Sequence, residues 1–97
     1  MTIDKEFSGG KLTLKVAGRL DTNTSSELEA ELKLDGVNEV VFDFSGLEYI
    51  SSAGLRVLMM AQKSMVSAGG KVMVVRPNEM VKGILDMTGL SSVFEIA

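Results

Sequence analysis

The chain has no cysteine and no histidine. Those absences remove a Ser–His relay, a Cys nucleophile and a zinc site of the usual ligands. Carboxylate-only metal sites and lysine-assisted serine chemistry are the common designs left open. Aromatic residues are 5% of the chain, and 13 acidic side chains outnumber 10 basic ones for a net charge of −3. The basic footprint of a nucleic-acid binder is therefore missing. Partners are expected to be proteins or small ligands rather than polyanions, which tilts the reading away from enzymes. The longest apolar run is five residues, Val57 to Ala61, far short of a membrane span. The opening "MTIDKEFSGGKL" lacks the basic-then-apolar pattern of a secretory signal, so cytoplasmic residence is the expectation.

What is present is a globular composition, 45% hydrophobic and 24% charged, over a length that supports one core and one domain, residues 1–97. "KLTLKVAG" alternates Leu12, Leu14 and Val16 against Lys11, Thr13 and Lys15, the period of a strand with one wet face. "TIDKEF" before it reads as a first strand turning through Gly9 and Gly10. Thr24 and Glu27 have the spacing of a capping box, opening a short helix with Leu28 and Leu32 one turn apart that fades at Asp35–Gly36. "NEVVFDF" does not strictly alternate and is expected to be an interior strand covered on both faces.

The second helix is expected to begin at Ala53, with Leu55, Leu58, Met59, Met65 and Val66 as its core stripe and Gly69–Gly70 as its stop. "KVMVV" is a further strand. Asn78 after Pro77 caps a third helix carrying Val81, Ile84 and Leu85 and ending near Gly89, and "SVFEIA" closes the chain as a last strand. The order β-β-α-β-α-β-α-β predicts an α/β domain with a partly parallel sheet and helices packed on it.

Several residues invite a functional reading and have a plain one beside it. Two "GGK" stretches, at 9–11 and 69–71, each lead into a strand rather than a helix, so they read as turns and not phosphate loops. Most of the methionines fall at expected core positions and read as core filling. Val57, Met60 and Ala61 extend the apolar surface of the second helix beyond its stripe, which suits either a docking face or a wide buried one. Asp21 and Asp43, each near the end of an expected strand, read as turn-stabilising. Ser51 and Ser52 stand where a strand gives way to the second helix. A cap by Ser52 is a sufficient structural account. The same place also suits a phosphate, because first-turn N–H groups are unpaired and the helix end is partially positive.

"VVFDFSGLEYISSAGLRVL" resembles the signature of the STAS family, the bacterial anti-sigma factor antagonists. "LTLKVAGRLDTNTSSEL" is similar to that family's second strand and its turn into the first helix, and "GGKVMVVRPNEMVKGILDMTGLSSVFEI" to its last strand-helix-strand. The resemblance implies a small mixed β-sheet with helices mainly on one face and no catalytic activity or cofactor. It implies a module that binds an anti-sigma factor, often a serine kinase, and is inactivated by phosphorylation of one serine and restored by a phosphatase. Carried onto this chain, that serine is Ser52, and the partner-binding surface comprises Asp21, Ser51, Ser52, Gly54, Leu55 and Arg56. Many phosphorylated members have Asp where Ser51 stands, making Ser51 a second candidate acceptor. Gly is frequent where Arg56 stands, one helical turn after Ser52 and so within reach of a phosphate there. An alternative within the family is a constitutive subunit of a transporter or ATPase complex with no phospho-switch. An acyl carrier, which also modifies a serine at a helix start, is disfavoured by the strand patterns, and a serine enzyme by the lack of a base.

Overall fold

The computed structural model describes residues 1–97. The alternation seen in the sequence becomes β1 (Thr2–Ser8), β2 (Lys11–Leu20), α1 (Ser25–Ala30), β3 (Glu39–Ile50), α2 (Ser52–Ser67), β4 (Lys71–Val75), α3 (Glu79–Met87), a single 3₁₀ turn (Leu90–Ser92) and β5 (Glu95–Ile96). The five strands lie side by side in chain order, β1 antiparallel to β2 and every later pair parallel. The antiparallel pair turns through Gly9 and Gly10 at φ +58° and +84°, two successive positive values that suit a tight hairpin and that only glycine adopts cheaply. Each parallel connection steps one strand in the same direction. Right-handed crossovers of that kind deliver all three helices to one face.

That face holds the core. Leu12, Leu14 and Val16 of β2, Val40, Phe42 and Phe44 of β3, and Val72 and Val74 of β4 meet Leu28 of α1, Leu58, Ala61 and Met65 of α2, and Val81 and Leu85 of α3. Burying each of the large aliphatic or aromatic side chains contributes roughly 1.5–3 kcal/mol. The opposite face has no helix layer. Its in-register rows run Lys11–Glu39–Lys71, Thr13–Val41–Met73 and Lys15–Asp43–Val75. β3 is therefore covered by helices on one side only, not two. Val41 and Asp43 are buried on the other side because they stand mid-sheet between the side chains of β2 and β4.

β3 also runs longer than its sequence indicates. "SGLEYI" continues the strand up to α2 rather than forming a loop. Its pairing with β2 slips twice: Lys15 and Ala17 face Asp43 and Gly46, then Gly18 and Arg19 face Leu47 and Tyr49. Each slip gives β3 one residue more than its partner, the mark of a bulge. Asp43 sits at the first slip, accepting the Ser45 backbone N–H at 3.0 Å and an Arg76 guanidinium N–H at 2.6 Å. It is thus a mid-strand brace, not a turn residue. Burial alone would raise its pKa, but the Ser45 hydrogen bonds and the Arg76 guanidinium outweigh this and hold it below the ordinary 3.8.

Two other expectations are corrected. α1 stops at Ala30, so Leu32 lies beyond it, half-buried against the core. The side chains of α2 are phased differently. Gly54, Val57, Leu58, Ala61 and Met65 face inward, whereas Met59, Met60 and Val66 are exposed. Met80 and Met87 of α3 are exposed as well, so of the methionines beyond Met1 only Met65 is fully buried. α2 ends as expected at its glycine pair: the Gly70 N–H bonds the Met65 carbonyl at 2.7 Å and the Gly69 N–H bonds that of Val66 at 3.2 Å. This is the double closure of a Schellman motif.

Candidate functional site

The C-terminal ends of β2 and β3 converge on the start of α2. Leu20 pairs with Ile50 across the two strands, and the Leu20 carbonyl accepts the Ser51 N–H at 2.9 Å. That bond ties the turn beginning at Asp21 directly to the Ser51–Ser52 junction. Asp21 organises its own turn. Its carboxylate accepts the backbone N–H groups of Asn23 (2.9 Å) and Thr24 (3.1 Å) and lies 3.2 Å from the Thr24 hydroxyl. Desolvation opposes the charge here, but the hydrogen bonds from Thr24 and Asn23, helped by the charge of Arg19, leave the Asp21 pKa below its ordinary value.

The capping box expected at Thr24 and Glu27 does not form. Thr24 is the N-cap residue of α1, but its hydroxyl makes no cap bond. It is already committed, donating to the Arg19 carbonyl at 2.8 Å and accepting the Asp21 N–H at 2.9 Å. The loop is thus knitted back onto β2 rather than forward onto the helix.

α2 begins one residue earlier than the sequence indicates. Ser51, in extended conformation, is its N-cap, and the Ser51 hydroxyl accepts the Gly54 N–H at 3.3 Å. Ser52 is the first helical residue and is exposed. The neighbouring hydroxyls therefore differ in kind: one closes a hydrogen-bonded ring, and the other faces outward. Behind them Gly54 is buried, and a Cβ there would come within 2.8 Å of both Ile50 Cγ1 and Leu20 Cγ. A side chain at 54 would push the helix start off the strand ends. Leu55 is half-buried and packs on the core, while Arg56 is exposed and absent from all three of the chain's salt bridges. So Ser51, Ser52, Gly54, Leu55 and Arg56 share one helical start beside the Asp21 turn, with Gly54 and Leu55 supporting from within.

Two neighbours of this site escape sequence reasoning. The Arg19 guanidinium carbon lies 4.5 Å from the Tyr49 ring centroid, a cation–π contact between strand positions brought opposite by the second bulge. Asn78 donates to the Leu47 carbonyl at 3.0 Å while its side-chain oxygen accepts the Val81 N–H at 2.8 Å, so the cap of α3 also clasps the bulged half of β3. The first depends on register and the second on a contact between residues 31 apart; neither leaves a local mark. No group of three or more acidic residues is placed to hold a metal ion, and no helix is long and apolar enough to cross a membrane.

The fold is thus a one-sided α/β sheet with an exposed serine opening its middle helix beside the Asp21 turn. The chain belongs to the STAS domain family, whose sequence profile matches residues 2–97. It is 32% identical over its whole length to BtrV of Bordetella bronchiseptica, a protein assigned as an anti-sigma factor antagonist, and covers 84% of it. Among solved structures it is similar to a Thermotoga maritima protein with the same assignment, at TM-score 0.88 and 26% identity over 97% of this chain and 84% of the other. The unphosphorylated form of the anti-sigma factor antagonist SpoIIAA shares the fold at TM-score 0.87 and 16% identity, over 99% of this chain and 88% of that one. Phosphorylated SpoIIAA, described as a Bacillus cell fate determinant, does so at TM-score 0.80 and 15% identity, over 99% and 91%.

Proposed function

We propose that this chain is a non-catalytic anti-sigma factor antagonist that sequesters an anti-sigma factor with serine kinase activity and is switched off by phosphorylation of Ser52. Family membership and relatives assigned to that role support the general reading. The observation that carries the switch is the difference between the two serines: the Ser52 side chain is exposed at the first position of α2, whereas the Ser51 hydroxyl is spent on the Gly54 N–H. A phosphoryl group on Ser52 displaces no internal hydrogen bond, while one on Ser51 would dislodge the helix cap.

The kinase transfers the γ-phosphoryl group of ATP to the Ser52 oxygen as the hydroxyl proton leaves, and ADP departs. A phosphatase reverses the modification with water. The modified serine carries about −1.5 to −2 charges. At a docking surface formed by the Asp21 turn, Ser51 to Leu55 and the outer side of α2, that charge must be desolvated or repelled on binding, and the partner is released.

The test compares Ser52→Asp with Ser52→Ala. Both should fold as the parent does, and Ser52→Asp should lose the anti-sigma factor recovered by affinity capture and mass spectrometry with the parent chain. Equal capture by the two variants would refute the switch. Phosphopeptide mapping of residues 47–60 after growth under conditions that inactivate the protein should place the phosphate on Ser52 and not Ser51.

A further inference from the structure

The outward side of α2 differs in charge from the rest of the molecule. α2 contains Arg56 and Lys63 and no acidic residue, whereas the remainder of the chain holds 8 basic and 13 acidic side chains. Both cations are exposed, and neither joins any of the three salt bridges, Lys5–Glu31, Lys71–Glu95 and Arg76–Asp43. Between and beyond them stand Met59, Met60 and Val66, at 40%, 39% and 64% exposure. At about 100° per residue, Ser52, Arg56, Met59, Met60, Lys63 and Val66 fall within a band of about 120°, opposite the inward side of Val57, Leu58, Ala61 and Met65. The helix thus has two apolar sides, one packed on the sheet and one facing out between unpaired cations. Methionine suits such a surface, since its unbranched, polarisable side chain adapts to a partner's shape.

We propose that this strip docks an acidic amphipathic helix of the partner protein, with the partner's apolar residues against Met59, Met60 and Val66 and its carboxylates beside Arg56 and Lys63. The proposal rests on the docking reading above and specifies the chemistry of what docks. Charge complementarity selects the occupant: a basic or neutral helix would leave both cations without partners at the contact, and an acidic one pairs them while burying the same apolar area. The same chemistry bears on a modification at the N-terminal end of the strip. A phosphoryl group on Ser52 adds about −1.5 to −2 charges one helical turn from Arg56, which offsets the nearer of the two cations that attract the partner.

The experiment uses the full chain, isotopically labelled, and two designed helical peptides with the same leucine stripe, one flanked by glutamates and the other by lysines. The glutamate peptide should shift the backbone amide signals of Arg56, Met59, Met60, Lys63 and Val66 and bind at least about tenfold more tightly than the lysine peptide, with affinity falling as salt rises. Lys63→Glu should lower that affinity about fivefold while leaving signals elsewhere unchanged. Lys63 lies about 16 Å along the helix from Ser52, at ~1.5 Å per residue, so this variant reads the strip without touching the modified end. Equal affinity for the two peptides, shifts centred elsewhere, or a Lys63→Glu variant that binds undiminished would overturn the proposal. So would strip signals that move with protein concentration alone, because a second copy of the chain would then be the occupant. Loss of peptide discrimination leaves the Ser52 switch standing, and indifference to Ser52→Asp leaves the strip standing.

Discussion

α2 and α3 are built alike and positioned differently. Each begins with a polar residue in extended conformation whose side chain accepts the N–H three positions on, Ser51 from Gly54 and Asn78 from Val81. Each carries exposed methionines and an internal glycine. Yet Asn78 has a second hydrogen bond, to the Leu47 carbonyl, and α3 mixes Glu79 and Asp86 with Lys82. α2 starts instead with a free hydroxyl after its cap and carries cations only. One helix clasps the sheet; the other leaves its first turn and its outer side open. A shared capping device can therefore serve anchorage or access, depending on what the next residues do.

The glycines give the largest contrast. Gly54 has no room for a side chain, whereas a Cβ at Gly83 meets nothing within 4 Å. Gly54→Val should cost about 1–3 kcal/mol through overpacking against Ile50 and Leu20, while Gly83→Ala should gain about 0.4–1 kcal/mol through better helix propensity. Urea melts of the two variants test this, and a stabilising Gly54→Val would remove the close-approach account of the α2 start.

The caps should show a smaller split. Asn78→Ala, losing both its bonds, is expected to cost about 1–2 kcal/mol, and Ser51→Ala about 1 kcal/mol. Ser52→Ala should stay within about 0.5 kcal/mol of the parent. Thermal denaturation of the three side by side would reveal whether the cap has been assigned to the right serine, since the reverse order for Ser51 and Ser52 would move it by one residue.

The smallest effect expected concerns acid. Asp43 has a folded-state pKa below its ordinary value of 3.8. Its contribution to stability is therefore fully present above that value and is lost as pH falls through the lower folded-state pKa. Asp43→Asn should flatten the acid limb of a stability–pH curve below about pH 4 and leave the slope near pH 7 unchanged. An identical acid limb in the variant would show that Arg76 and Ser45 do little for the carboxylate.

The element order and the location of the serine pair were legible because helix and strand periods differ and because glycine pairs and Asn78 punctuate the chain. The errors have physical causes. In "ISSAG" either serine fits a cap, and only the Leu20–Ser51 backbone bond, a long-range contact, fixes which one serves. Thr24 has the right spacing for a capping box, but the turn around Asp21 engages its hydroxyl first. Bulk alone predicts the wrong phase for α2. The inward side is set by the helical period and takes small Gly54 and Ala61 together with Val57, Leu58 and Met65, leaving Met59, Met60 and Val66 outside. The second half of β3 is not legible because "SGLEYI" has the composition of a loop, and only pairing with β2 makes it a bulged strand. Assignment to the STAS family and its fold stands on order and motif, which tolerate shifts of this kind in boundary and phase.

β1 lies at the rim of the sheet, so one side of its backbone from Thr2 to Ser8 has no neighbouring strand. Such a rim is a template on which further chains can stack. Asp4, Lys5 and Glu6 occupy its middle, and a run of ionised side chains there makes an incoming strand bury or misalign charge. A charged tract of this kind disfavours edge-to-edge pairing with a further strand.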